Sequence, residues 1–334
     1  SRTGLRLAVT RVAVRNQAKA RSVTLPDGVL THDAAEVVAD PNVDVIVEVI
    51  GGIEPARSLV LDALKGGKPV VTANKELLAN VGAELFEAAD AAGRDLLFEA
   101  AVAGGIPLIR PLRESLAGER IRRVMGIVNG TTNFILTEMA RSGLPYGTAL
   151  ARAQELGYAE ADPTEDVGGA DAAAKMAILS SIAFHTRVHL DDVPHEGIDR
   201  LQAEDIEQAR ALGFVVKLLG VARLVDGAVS VRVHPALVPS GHRLAAVGGP
   251  DNAVLLESRA TREIMLAGPG AGGDETASAV LADVLSILGT HQGSFLHNAL
   301  ADAGRPIAPV GDVRSAFYVR MSVADRPGVR ARIA

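Results

Sequence analysis

An α/β fold built on a doubly wound parallel sheet, with a second α/β region after it, is predicted by three observations. Short β-branched runs closed by glycines alternate with helical segments over residues 5–107. Such a β-α-β-α-β rhythm places parallel strands beneath crossover helices. Aromatic residues make up 3% of the 334, while Ala, Val, Leu and Gly are abundant. That composition suits helix-on-sheet packing better than an all-β sandwich. Hydrophobic content of 48% and charged content of 22% are ordinary for a globular chain, and the length allows two domains.

In order, "LRLAVTRVAV" (5–14) reads as a strand, and "THDAAEVVADPNV" (31–43) as a short helix ending near Pro41. "VDVIVEVIGG" (43–52) is a continuous β-branched run closed by two glycines, the pattern of a buried parallel strand. "EPARSLVLDALKGG" (54–67) has helical spacing, a proline in its first turn and a glycine stop. "PVVTANK" (69–75) is another buried strand, "KELLANVGAELFEAADAAG" (75–93) a helix, and "DLLFEAAVAGGIP" (95–107) a strand running into a glycine-rich turn. Residues 108–268 mix helices with strands such as "IRRVMGIVNG" (121–130) and "GAVSVRVHPALV" (227–238), which predicts a mixed or antiparallel second sheet. "REIMLAGPGAGGDETASAVLADVLSIL" (262–288) reads as strand, glycine loop and helix. "RSAFYVRMSVADRPGVRARIA" (314–334) begins a further strand and helix. The first strand leads into "VRNQAKAR" (14–21), as the second strand of a dinucleotide fold would, and no G-x-G-x-x-G stands upstream of it.

Net charge is −6, which gives nucleic acid no electrostatic attraction. No apolar run reaches the roughly 18–20 residues that span a bilayer, and no signal peptide opens the chain. There is no cysteine, which excludes disulfides, thiol nucleophiles and Cys-based metal clusters. A cytoplasmic protein is the simplest expectation.

The candidate chemistry sits in "GYAEADPTEDVGGADAAAKMAILSSIAF" (157–184), five carboxylates followed by an apolar run that holds one lysine. Asp171 and Lys175 are four apart and share a helix face. As a solvated pair they would be unremarkable. Residues 172–184, however, contain no other Asp, Glu, Lys or Arg, and a helix apolar all round is buried. A buried ammonium beside a carboxylate is a proton-transfer candidate. Lys75 stands where a strand ends, the place where open α/β sheets bind ligands. Asn129, Gly130, Thr131 and Thr132 form a polar turn after a strand, either a bare helix cap or a substrate contact. Glu160 and Asp162 lie on a loop, where most carboxylates are merely solvated. Gly268, Gly270 and Gly273 match G-x-G-x-x-G but lack the following acidic strand end, so they read either as a packing turn or as a loop near a ligand. His185 and His189 are four apart, with Asp191 and Asp192 nearby, but the H-E-x-x-H that a zinc site of this kind needs does not occur. Arg15, with Lys19 or Arg21 nearby, ends a strand where NAD-selective folds carry an acid, so it either lies exposed or meets a 2′-phosphate.

Together, "VVTANK", "FEAAVAGGIPLIRPL", "GIVNGTTNFIL", "ELGYAEADPTEDVGGADAAAKMAIL" and "GPGAGGDETASAVLAD" resemble homoserine dehydrogenases over roughly residues 43–290. "FYVRMSVADRPGV" looks like the opening of an ACT regulatory domain. The resemblance implies a Rossmann-like nucleotide domain (1–106), a substrate and dimerisation domain with a mixed sheet (107–268), a glycine loop and helix returning to the first domain (269–310), and the start of an ACT-like domain (311–334). It implies interconversion of aspartate 4-semialdehyde and homoserine with NADP(H) or NAD(H), in a homo-oligomer, during threonine and methionine synthesis. It places catalysis at Lys175, Lys75 and Asp171, and substrate binding at Glu160, Asp171, Tyr158, Gly130 and Thr131. Cofactor contacts fall at Arg15, Ile50, Gly51, Thr72, Lys75, Gly270 and Gly272. A sodium ion is implied at Glu99, Val102, Gly104 and Ile106.

Overall fold

The computed structural model describes residues 6–225 and 227–289; the expected returning segment beyond residue 289 and the ACT-like segment lie outside them. A two-stranded parallel sheet pairs β1 (Val12–Ala13) with β2 (Leu30–Thr31). The long strand expected over 5–14 is therefore reduced to two residues. β1 has one strand partner among the described residues, and Leu7 and Val9 are exposed. Helix α1 (Ala34–Ala39) follows, capped by the Asp33 side chain, which accepts from the amides of Ala35 and Glu36.

A three-stranded parallel sheet then takes the order β3 (Ile46–Glu48), β4 (Val70–Thr72), β5 (Leu96–Leu97). Its crossovers are α2 (Ala56–Lys65) and α3 (Lys75–Ala92). The strand expected to be buried on both faces alternates instead: Ile46 and Glu48 are buried, Val47 and Val49 exposed. β3 ends the strand order, and only one of its faces is covered by the core of Val60, Leu64, Val70, Leu77 and Leu85. The Asn74 side chain accepts from the Leu77 amide and starts α3, while Gly93 ends it in the left-handed region at φ 60°. Lys75 is thereby fixed as the first residue of a helix at the carboxyl end of β4.

The second part carries β6 (Ile121–Ile127), α4 (Gly130–Ser142), α5 (Tyr146–Glu155), α6 (Thr164–Val167), α7 (Ala170–Phe184), α8 (Ala203–Ala211), β7 (Phe214–Val225), β8 (Ala228–Pro239), β9 (Asp251–Ser258), β10 (Glu263–Pro269) and α9 (Gly273–Ile287). Its five strands run β10-β9-β6-β7-β8, and every pairing is antiparallel. The sheet is thus antiparallel rather than mixed; the parallel pairing nearby is a single bridge, His195 to Val233. Hairpin connections suffice for antiparallel neighbours, and β7 with β8 forms one over twelve residues each. Strand alternation divides the side chains. Val124, Leu218, Ala222, Val254 and Leu256 join the helices in one core, while Met125, Ile127, Leu219, Val221 and Leu255 form another.

Helix α7 is buried almost all round, from Ala172 to Leu179, with Lys175 the partly open exception. Gly220 on β7 allows this depth. A Cβ there would come within 2.4 Å of Met176 Cγ, so a larger residue would force the Met176 side chain that packs α7 on the sheet to shift.

Candidate active site

The ends of β3 and β4 are laced by a buried acid. Glu48 is 4% exposed; its carboxylate accepts from Thr72 Oγ1 (2.5 Å), Ile50 N (2.7 Å) and Gly51 N (3.4 Å). Asn74 then binds Thr72 Oγ1 through its amide (3.0 Å) and Gly52 O through Nδ2 (2.7 Å). Gly51 and Gly52 both sit at positive φ, 81° and 73°, with open space where a Cβ would be. The result is a bare, rigid turn at the carboxyl end of a parallel sheet, where a nucleotide's backbone-hugging groups can approach. Thr72 itself is fully buried with its hydroxyl taken by Glu48, so it shapes this turn while Ile50 and Gly51 face outward.

Beside it, Lys75 of α3 reaches Asp171 of α7, 96 residues later in the chain. Asp171 is 3% exposed. Its carboxylate also accepts from Lys175 Nζ and from Asn129 Nδ2, each at 2.8 Å. Lys175 donates a second bond to the Val128 carbonyl, 2.8 Å. An ammonium has three N–H donors; two are placed, and one is left for a third acceptor. Asn129 does double duty: Oδ1 caps α4 through Thr132 N (2.8 Å), and Nδ2 also bonds Asp166 (2.7 Å). Thr131 Oγ1 ties Asp166 (3.0 Å) to the Tyr158 carbonyl (2.6 Å). The Tyr158 ring stacks on Phe134 at 4.7 Å between centroids.

Burial pushes the Asp171 carboxyl up, but the ammonium groups of Lys175 and Lys75 outweigh it and hold the group well below the usual carboxylate range. Burial pulls Lys75 down; Asp171 foremost, with Asp166 and Glu165 farther off, reverses that and raises it. The trio is therefore one carboxylate shared by two lysines, with Asp166 and Glu165 close enough to act on Lys75. Such a site stabilises an oxyanion and can return a proton to it.

Two further loops meet here. Glu99 is buried, and its carboxylate accepts the amides of Leu108, Ile109 (2.8 Å) and Arg110 (2.9 Å). Its own amide donates to Asp283 of α9 at 2.7 Å. The carbonyls of Val102, Gly104 and Ile106 accept no hydrogen bond among the described residues. Gly105 N bonds Pro269 O at 3.1 Å, and a Cβ on Gly104 would lie 3.0 Å from Gly270 O. The 102–106 turn and the glycine loop thus touch backbone to backbone.

The structure joins Lys75, Asp171, Lys175 and Thr131 in one network. It leaves Glu160 exposed, with its carboxylate unpaired among the described residues. Arg15 is exposed and likewise unpaired, while Arg21 is spent on the carbonyls of Asn16, Gln17 and Lys19. Residue-by-residue reading passed over Asp166, one of five acids in a single block; only its partners set it apart from Glu165. It also passed over the Val128 carbonyl, for which a sequence carries no signal.

The family model described as "Homoserine dehydrogenase" matches residues 107–285, and "Homoserine dehydrogenase, NAD binding domain" matches residues 1–99. A homoserine dehydrogenase of Mycobacterium tuberculosis is 51% identical over 340 residues, spanning 100% of this chain and 77% of that protein. The crystal structure of a homoserine dehydrogenase from Thiobacillus denitrificans superposes with a TM-score of 0.83 at 45% identity, over 99% of this chain and 78% of its own. A hyperthermophilic archaeal homoserine dehydrogenase in complex with NADPH gives 0.67 at 32% identity, over 78% and 76%. With two family models covering most of its length and two lysines paired on one buried carboxylate where a parallel sheet meets a buried helix, the chain belongs to the homoserine dehydrogenase family, oxidoreductases that act on a CH–OH group with NAD(P).

Proposed function

We propose that Lys175 is the proton donor and acceptor of the interconversion of aspartate 4-semialdehyde and homoserine, with Asp171 and Lys75 setting its charge and direction. NAD(P), when bound, supplies or takes up the hydride. The open positive-φ turn at Gly51 and Gly52 fits that group, since a Cβ at either position would stand in its path. In the reducing direction, the substrate carbonyl oxygen accepts from Lys175 Nζ. As its carbon gains a hydride, the oxygen gains negative charge and then the Lys175 proton, leaving an alcohol and a neutral amine that water reprotonates. Oxidation runs the same path in reverse. Lys75, a third exposed and paired with the same carboxylate, adds positive potential without being spent.

Thr131, Gly130, Tyr158 and Glu160 hold the amino-acid end of the substrate. Glu160 brings a free carboxylate for its ammonium, and the start of α4 brings backbone amides for its carboxylate. Arg15 meets a 2′-phosphate, so NADP(H) is accepted at least as well as NAD(H). Gly270 and Gly272 line the same cofactor from the far side. A sodium ion sits on the free carbonyls of Val102, Gly104 and Ile106, a set that suits a hard cation. Glu99, whose carboxylate is already committed to three backbone amides, closes that turn. The enzyme works as a homo-oligomer in the cytoplasm.

The observation that carries this reading is the Lys175 ammonium, 13% exposed, bonded to Asp171 and Val128 O with one donor left over. Steady-state oxidation of homoserine, first with NADP+ and then with NAD+, tests it. Turnover with either supports the reaction and the ratio reads the cofactor preference; no turnover with both would defeat it.

A further inference from the structure

Asn252 on β9 is 1% exposed, and neither Oδ1 nor Nδ2 has a hydrogen-bond partner. Burying both ends of a carboxamide unpaired costs free energy, and native chains keep such groups rarely. The surroundings are specific. A Cβ on Gly270 would lie 2.0 Å from Asn252 Oδ1 and 2.5 Å from Nδ2, so the amide lies flat against the glycine loop. A Cβ on Gly130 would lie 3.5 Å from the same Oδ1 and 2.6 Å from Pro250 O. The amide is therefore wedged between the first residue of α4, next to the Asn129–Asp171–Lys175 network, and the loop joining β10 to α9. Gly270 O in turn abuts Gly104. Three glycines permit this convergence, and one polar side chain stands unpaired at its centre.

We infer that Asn252 is a positioning residue for the nicotinamide cofactor. Its amide donor and acceptor are taken up by backbone groups of the 268–273 loop when that loop settles on the bound cofactor. Cofactor binding supplies the bonds that the buried amide lacks. Because the amide also touches Gly130, the loop is then held in fixed register with the helix that carries the substrate contacts. This rests on the reading of the glycine loop as a cofactor contact.

Asn252→Leu tests it, since leucine keeps the branch at Cγ and has no polar atom. Three quantities are read on the whole chain: the melting temperature without ligand, the NADPH dissociation constant by fluorescence titration, and amide hydrogen exchange across 268–275 with and without NADPH. The expected result is a cooperative ligand-free melt that shows the variant folded, a dissociation constant weakened about tenfold, and loss of the slowing that NADPH imposes on exchange in that loop. An unchanged dissociation constant overturns the proposal. If NADPH fails to slow exchange in the wild-type loop, the cofactor reading of the loop falls first, and the proposal with it.

Discussion

Replacing Asp171 by asparagine removes one charge and leaves the shape almost intact, which isolates what that carboxylate contributes. It accepts from three side chains: Lys75, Lys175 and Asn129. An asparagine keeps one acceptor oxygen and turns an NH2 donor toward one of the ammonium groups or toward Asn129. Two cations lose their counter-charge, and one of them, Lys175, is only 13% exposed. Uncovering a buried partner costs about 3–5 kcal/mol. Lys75 is 36% exposed, so solvent screens its share, and about 3 kcal/mol is the expected loss. In a chain of this length, that lowers the melting temperature by roughly 5 °C. The carboxyl is held far below its ordinary 3.8, so its stabilisation is complete above that pH and is lost as pH falls further. The gap between wild type and variant therefore persists from neutrality to about pH 4 and closes only below it. Without its acid neighbour, Lys175 is misaimed, so kcat for homoserine oxidation falls on the order of 100-fold. Calorimetry across pH together with steady-state rates checks both numbers. A variant within threefold of wild-type kcat and equal in melting temperature would refute the shared-carboxylate account.

Two further outcomes follow from side chains outside the network. Arg15→Ala is expected to raise KM for NADP+ about tenfold while leaving KM for NAD+ within twofold, because only the former carries the 2′-phosphate; equal changes for both cofactors would remove Arg15 from recognition. Lys217 is 3% exposed and bonds Asn133 Oδ1 (2.8 Å) and the Val247 carbonyl, and burial lowers its ammonium to about 8 from 10.5. Between those values the unfolded chain holds a proton that the folded chain has released, so stability should rise with pH, by on the order of 2 kcal/mol. The Lys217→Met variant should lack that rise between pH 7.5 and 9.5 in thermal melts.

The parts of the fold legible in the sequence are those whose signal is local. Helix α3 starts and stops at Asn74 and Gly93, a side-chain cap and a left-handed glycine that any reading of "NKELL…AAG" exposes. Helix α7 shows itself by the lack of charge after Lys175. What was illegible depends on neighbours. "LRLAVTRVAV" has strand chemistry throughout, but β1 extends only as far as β2 pairs with it. "VDVIVEVI" is apolar on both faces, yet Val47 and Val49 are left uncovered. Strand direction in the second sheet was open for the same reason, since alternation does not say which way a partner runs. At the site, i,i+4 spacing gave Asp171 with Lys175. Joining Lys75 to them took a fold that closes 96 residues of chain. Asn252 offers no pattern at all, because its meaning lies in the glycines pressed against it.

Measuring kcat for homoserine oxidation in Lys175→Ala, alongside the NADPH dissociation constant of the same preparation, addresses the core of the account. A thousandfold or greater loss of turnover with a dissociation constant within twofold of wild type is the predicted result. Turnover within tenfold of wild type, with the cofactor still bound, would contradict it and move the proton transfer to another group.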